Sequence, residues 1–187
     1  MKKKIISVII MILLTHSFLF AHPHLFIKPS IDVAVDNNTV KGFKITWKWD
    51  KWWSADVIAD CDLDRNGLLN NEETRLVYKD YFIGVRDYDF FMGIIIDGKK
   101  IKIVDIKDFS VIINSDKTVS YTFFIPLEYK FSSEIKLSIS FNDKTVYTSF
   151  DKNVSVTLSN SYTSKNLLVS EYDYYGVKID FVLIKNK

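Results

Sequence analysis

The stretch "DLDRNGLLNNEE", Asp62 to Glu73, sets oxygen-bearing side chains at alternate positions around a glycine. Asp62, Asp64 and Asn66 stand at the first, third and fifth places of a twelve-residue loop, and Gly67 at the sixth allows a sharp turn. Leu68 at the seventh offers its backbone carbonyl, Leu69 at the eighth is apolar, and Asn70 at the ninth can act through a water. Glu73 at the twelfth closes the set as a bidentate carboxylate. A hard cation needs about six to eight oxygens at roughly 2.3–2.6 Å, and this spacing is that of an EF-hand calcium loop. The competing reading is an acidic turn between helices that holds no ion. With three carboxylates and no paired second loop, the expected role is a stabilising calcium of the extracellular class rather than a sensor.

A second donor set lies near the start of the chain. Of the three histidines, His16 falls in an apolar run, while His22 and His24 follow Ala21 directly. If the chain is cut after Ala21, it begins His22-Pro23-His24. The terminal amine and two imidazoles lose their protons near neutral pH and suit nickel, cobalt, copper or zinc. Pro23 has no amide proton, which blocks the square-planar mode that uses the deprotonated amides of the second and third residues. Asp50, Asp56 and Asp60 are the carboxylates that could complete the site. The alternative is a polar leader to the first strand.

The cut itself is an expectation. Lys2, Lys3 and Lys4 precede the apolar run Ile5–Leu14, and Ala21 is small, so residues 1–21 are predicted to be a secretory signal. A cut after Ser17, or an uncleaved anchor, competes with it. Loss of the leader lowers Lys+Arg from 25 to 22 against 23 acids, leaving a near-neutral chain with no basic stripe for nucleic acid. Cys61 is the one cysteine, so no internal disulfide forms and stability must come from the core or a metal. So few histidines leave no room for a hydrolytic triad.

The elements that must position these donors are mostly strands. Residues 22–187 are expected to form a single mainly β domain of sandwich-like antiparallel sheets, α+β overall because of a helical insertion at about 50–91 that carries the calcium loop. Leu25–Val35 and Val40–Trp49 flank "DNNT", a turn composition, and Asp97-Gly98 marks a second hairpin. A third is expected around Asn114–Lys117. "IKLSISF" and "TVYTSF" around "NDK" read as a further pair, "NVSVTL" as another strand, and Val177–Ile184 as an edge strand. Trp53, Val57 and Cys61 recur at helical spacing. The four tryptophans within Trp47–Trp53 read as core at a strand-to-helix corner rather than a sugar platform.

The segments "AHPH", "ITWKWDKWWSA", "DLDRNGLLNNEE", "GIIIDGKKI", "FFIPL" and "YTSF" together resemble a family of exported bacterial proteins labelled a domain of unknown function. That family is described as the periplasmic component of an uncharacterised ABC-type transport system and is often encoded beside nickel/cobalt permeases. The resemblance implies a periplasmic location, transition-metal handling with His22 and His24 as ligands, and an inner-membrane metal permease as partner. The leading expectation is therefore a non-catalytic metal-binding accessory protein with a structural calcium. The alternatives are a calcium-stabilised β-module that binds protein or glycan, and a copper oxygenase using a histidine brace. A brace needs its second histidine facing the first across the metal, a geometry strained when the two lie two residues apart.

Overall fold

The computed structural model describes residues 25–145 and 147–186. The predicted leader 1–21, its cleavage point, His22 and His24 lie outside the described residues.

Local turn chemistry builds the hairpins. β1 (Leu25–Asp36) and β2 (Thr39–Trp49) run antiparallel with Asp36 opposite Thr39. Asn37 and Asn38 between them have φ of 47° and 55°, the left-handed pair of a type I′ turn, which asparagine tolerates. β3 (Met92–Ile96) and β4 (Lys99–Ile101) close on Asp97-Gly98 in the same way. β5 (Lys107–Ile113) and β6 (Val119–Lys130) pair around a turn in which the Asn114 amide donates to the Thr118 carbonyl. All three expected hairpins form. The helical insertion follows β2 as α1 (Lys51–Cys61) and α2 (Asn71–Val77), then a π turn over Tyr78–Phe82 and a 3-10 segment over Ile83–Phe91.

The rest of the chain is β7 (Glu134–Phe141), β8 (Thr148–Phe150), β9 (Ser155–Leu158), β10 (Tyr162–Tyr172) and β11 (Gly176–Lys185). The fold is mainly β, with two sheets. One has the order β5-β6-β2-β1-β8, with β9 also paired to β1, and the other β10-β11-β7-β3-β4. Three expectations are corrected here. The first sheet is not wholly antiparallel, because β8 and β9 both pair with β1 in parallel, Leu25 opposite Thr148 and Ser30 opposite Ser155. "IKLSISF" and "TVYTSF" do not pair with each other: β7 and β8 fall in different sheets. The tail is no edge, since β11 lies between β10 and β7, and the unforeseen β10 takes the outer place.

The two sheets share one core. Ile31, Phe43, Ile45 and Phe123 from the first sheet and Ile94, Ile139 and Ile179 from the second are fully buried in a single cluster. Phe141 of β7 stacks on Phe150 of β8 at 5.8 Å, which ties one sheet to the other. The strand alternation turns Trp47 and Trp49 inward, as expected for core. Trp53 stacks on Trp49 at 4.7 Å, but the reading of all four tryptophans as core fails at Trp52, which is 82% exposed. The indole N–H groups of Trp47 and Trp49 are buried without a hydrogen-bond acceptor among the described residues, and Phe123 stands edge-on to Trp47 at 5.0 Å.

Candidate metal centre

α1 begins where it does because Asp50 caps it. One oxygen of Asp50 accepts from the amides of Trp52 and Trp53 at 2.7 and 3.0 Å. The other accepts from the Phe26 amide at 2.7 Å, so the same carboxylate clamps the start of β1 to the start of the helix. Ser54 inside the first turn is buried and accepts from the Val119 amide at 2.9 Å, fixing α1 to β6. Val57 and Cys61, one and two turns on, face the core as their spacing predicts.

The chain leaves α1 at Asp62 and turns through a loop wound on its own side chains. Asp62 accepts from the amides of Asn66 and Gly67 at 3.1 and 3.0 Å. Asp64 accepts from the Asn66 amide at 3.1 Å, and the Asn66 side-chain oxygen accepts from the Leu68 amide at 2.7 Å. Such short polar side chains bending back onto nearby amides are the local device that replaces helix here. Gly67 takes φ of 79°, the left-handed conformation glycine accepts at no steric cost. Asn70 then caps α2, accepting from Glu72 and Glu73 amides, while Glu73 reaches back to the Asn70 amide at 2.9 Å. The other Glu73 oxygen accepts from the Leu63 amide at 2.8 Å, closing the loop end to end.

The outcome is a concentration of negative charge. One carboxylate oxygen each from Asp62, Asp64 and Glu73 lie within 4.8 Å of one another. Glu73 is only 1% exposed and Asp62 7%, while Asp64 faces solvent. Among the described residues, no ion pair includes any of the three. Two buried carboxylates at that separation repel by about 3 kcal/mol at an effective dielectric near 20. The Leu68 carbonyl accepts no hydrogen bond among the described residues. The donors are all oxygen, which suits a hard cation and not a soft one. The Asn66 side-chain oxygen accepts one amide and keeps a spare lone pair, whereas that of Asn70 already accepts two, from Glu72 and Glu73.

Cys61 beside this loop is not among the clustered donors. Burial pushes its thiol up to about 11, with the charges of Asp60, Asp80 and Glu73 adding to the effect, so it stays protonated at neutral pH. Tyr81 donates to Asp60, and that bond, followed by burial, raises its hydroxyl well above the usual tyrosine range. Of the carboxylates named as partners for the histidine terminus, Asp60 is thus engaged with Tyr81 and Asp56 is exposed on α1. Asp50 alone of the three bonds to β1, at the Phe26 amide, and both its oxygens already accept amides. α1 is about 16 Å long at 1.5 Å per residue, so it holds the acidic loop that far from Asp50. The clamp from Asp50 to Phe26 was missed in the sequence, where Asp50 was read only as a possible ligand completing the histidine site.

The family described as "Protein of unknown function (DUF1007)" matches residues 7–168. The chain belongs to that family. An uncharacterized 15.5 kDa protein in the trpE 3′ region of Spirochaeta aurantia is similar to it, 28% identical over 104 residues that cover 54% of this chain and 74% of the relative. No solved structure matches the chain. The matched span takes in the acidic loop, both helices and every strand through most of β10. Among the described residues, no helix is long and apolar enough to cross a membrane.

Proposed function

We propose that the protein is an exported metal-binding accessory protein, held in shape by a calcium in an EF-hand-type loop, that handles a transition metal for a membrane permease. The observation that carries the calcium is the trio Asp62, Asp64 and Glu73: three clustered carboxylates, two of them buried, without a cationic side chain to balance them. A calcium there would neutralise a repulsion that the fold otherwise sustains, and the Leu68 carbonyl is free to join the coordination. Asn66 would serve through its remaining lone pair, and Asn70 would join by way of a water once one of its two cap bonds is released. The insertion from Asp50 to Phe91 then acts as a calcium-stiffened brace on the face of the first sheet.

The transition metal rests on different residues. His22 and His24, with the amine freed by cleavage after Ala21, supply nitrogen donors for nickel, cobalt, copper or zinc. The difference in donors, oxygen in the loop and nitrogen at the terminus, supports a division of labour in which calcium stabilises and the terminus exchanges its metal. The ligands are few and exchange is the expected chemistry, so the role is delivery to or from an inner-membrane permease rather than catalysis. The deciding experiment is titration of protein carrying its native processed terminus with nickel, cobalt, copper and zinc in the presence of calcium. Stoichiometric binding by at least one of them, lost on blocking the terminal amine, is the expected result. Absence of binding by all four sinks the transition-metal role and leaves the calcium loop standing.

A further inference from the structure

The outer face of the second sheet carries a trough of about 310 Å³, at the small end of ligand pockets, which run from about 300 to 1,000 Å³. Its floor is a row of side-by-side residues in three strands. Gly93 of β3 stands opposite Ser140 of β7, and Ser140 opposite Lys178 of β11. Between these positions Ile94, Ile139 and Ile179 point inward and are fully buried, so the row faces out. Gly93 has no left-handed φ to explain it; a Cβ there would lie 2.6 Å from the Ser140 hydroxyl. An alanine there would have to turn the Ser140 hydroxyl aside.

The two walls have similar sequences. "YDFFMG" (Tyr88–Gly93) forms one rim and "YDYYG" (Tyr172–Gly176) the other, each giving a Tyr-Asp pair to the trough. Both rims are built from backbone that side chains rarely adopt: Asp89, Phe90 and Phe91 have φ of 54°, 53° and 51°, and Asp173 and Tyr175 of 52° and 59°. Phe90 and Phe91 are anchored in the core, which holds Tyr88 out at 51% exposure, while Tyr172 opposite is 41% exposed. β3 and β11 flank one strand, and Tyr172 lies at the end of β10, one strand further out, so the floor between the walls is about 10–15 Å wide.

The polar groups are balanced in sign. Lys178 is paired to Asp180 at 3.1 Å. Lys100 and Lys144 are in no ion pair among the described residues, and Asp89 and Asp173 stand on the rims, Asp173 accepting from the Asn142 amide group at 2.9 Å. A purely anionic ligand would meet the two aspartates, and a cationic one the lysines. Vicinal hydroxyls both accept and donate, and so satisfy an ammonium and a carboxylate at once. The apolar face of a sugar ring suits a tyrosine wall.

We infer that the trough between Tyr88 and Tyr172 is a binding site for a neutral sugar. One pyranose ring lies over Gly93 and Ser140 against the tyrosines, with its hydroxyls on Asp89, Asp173, Lys100 and Lys144. None of these residues belongs to the acidic loop or the histidine terminus, so this site stands or falls apart from the metal reading. The test is a nitrogen–proton correlation spectrum of the processed protein in calcium. The probes are cellotriose, maltotriose, chitotriose and galactose, with sodium glucuronate and trialanine as the anionic and peptide comparisons. At least one neutral sugar should shift the amides of Gly93, Ser140, Tyr172 and Lys178 and leave those of 62–73 in place. Tyr172→Ala, at an exposed position, should weaken that binding about tenfold or more while the spectrum stays folded. Gly93→Ala should abolish it by raising the floor, and the tyrosine variant keeps the test valid if the glycine variant fails to fold. No shift with any neutral sugar, shifts with glucuronate or trialanine alone, or unchanged binding in Tyr172→Ala overturns the inference.

Discussion

Glu73→Gln separates the charge of the buried carboxylate from its shape. In calcium, the loss of the bidentate ligand removes the stabilisation that a bound ion confers. For an extracellular-class site with Kd of about 10⁻⁴–10⁻³ M, calcium at about 10 mM is a roughly 10- to 100-fold excess. Linkage then gives about 1.4–2.7 kcal/mol to the unaltered protein. At about 2–4 °C per kcal/mol for a domain of this size, its melting temperature should rise by roughly 3–11 °C between chelator and calcium. In chelator two effects of the substitution oppose each other. Glutamine offers one oxygen where the carboxylate serves the amides of both Leu63 and Asn70, so one part-buried amide loses its acceptor, at no more than about 1–3 kcal/mol. Relief of the repulsion from Asp62 returns about 3 kcal/mol at an effective dielectric near 20. The variant should therefore melt within a few degrees of the original in chelator and gain less than a third as much from calcium. Differential scanning fluorimetry with and without calcium reads both quantities. If the original protein gains nothing from calcium, or the variant gains as much, the loop is only a turn and the reasoning fails.

Export should remove residues 1–21 and leave His22 first, which the intact mass of periplasmic protein reads directly; a mass beginning at Phe18 refutes the terminal-amine site. His22→Ala and His24→Ala should each weaken nickel, cobalt, copper or zinc binding in calorimetry and leave the calcium shift in melting temperature unaltered. In the unsubstituted protein that affinity should fall steeply from pH 7 to pH 5, because imidazole and amine must lose protons to bind. Asp50→Ala removes a helix cap worth about 1–2 kcal/mol and should lower the melting temperature by roughly 2–8 °C in chelator and in calcium alike. A calcium-dependent difference there would mean that the clamp on Phe26 and the acidic loop are coupled.

What could be read from the sequence was local. The turns at Asn37-Asn38 and Asp97-Gly98 are set by residues that accept left-handed backbone, and the helix–loop–helix by caps and spacing within a few residues. Asp62, Asp64 and Glu73 come together because twelve consecutive residues suffice to bring them there. The misreadings concern partners distant in sequence. β8 chooses β1 over its neighbour β7, and no pattern within "TVYTSF" encodes that choice. β10 was overlooked because its alternation is weak: Leu167 and Leu168 are both exposed, and its pairing with β11 shifts register between Lys165 and Leu168. The Tyr-Asp repeat at 88–89 and 172–173 was a visible signal for the trough, but only the sheet order β11-β7-β3 gives it meaning.

The parallel pairing of β1 has a consequence for how the chain acquires its fold. β2 follows β1 at once and covers one of its edges. The other edge waits for β8 and β9, about 120 residues later. That edge stays open until residues 148–158 are available to pair with it. Contacts of such long sequence separation also make folding slow even once the chain is whole. An open edge recruits other strands, and the outward-facing Lys28 and Asp32, charged positions along β1, oppose that. The first strand made is thus among the last to be sealed, and the Asp50 clamp on Phe26 holds its near end in place during the wait.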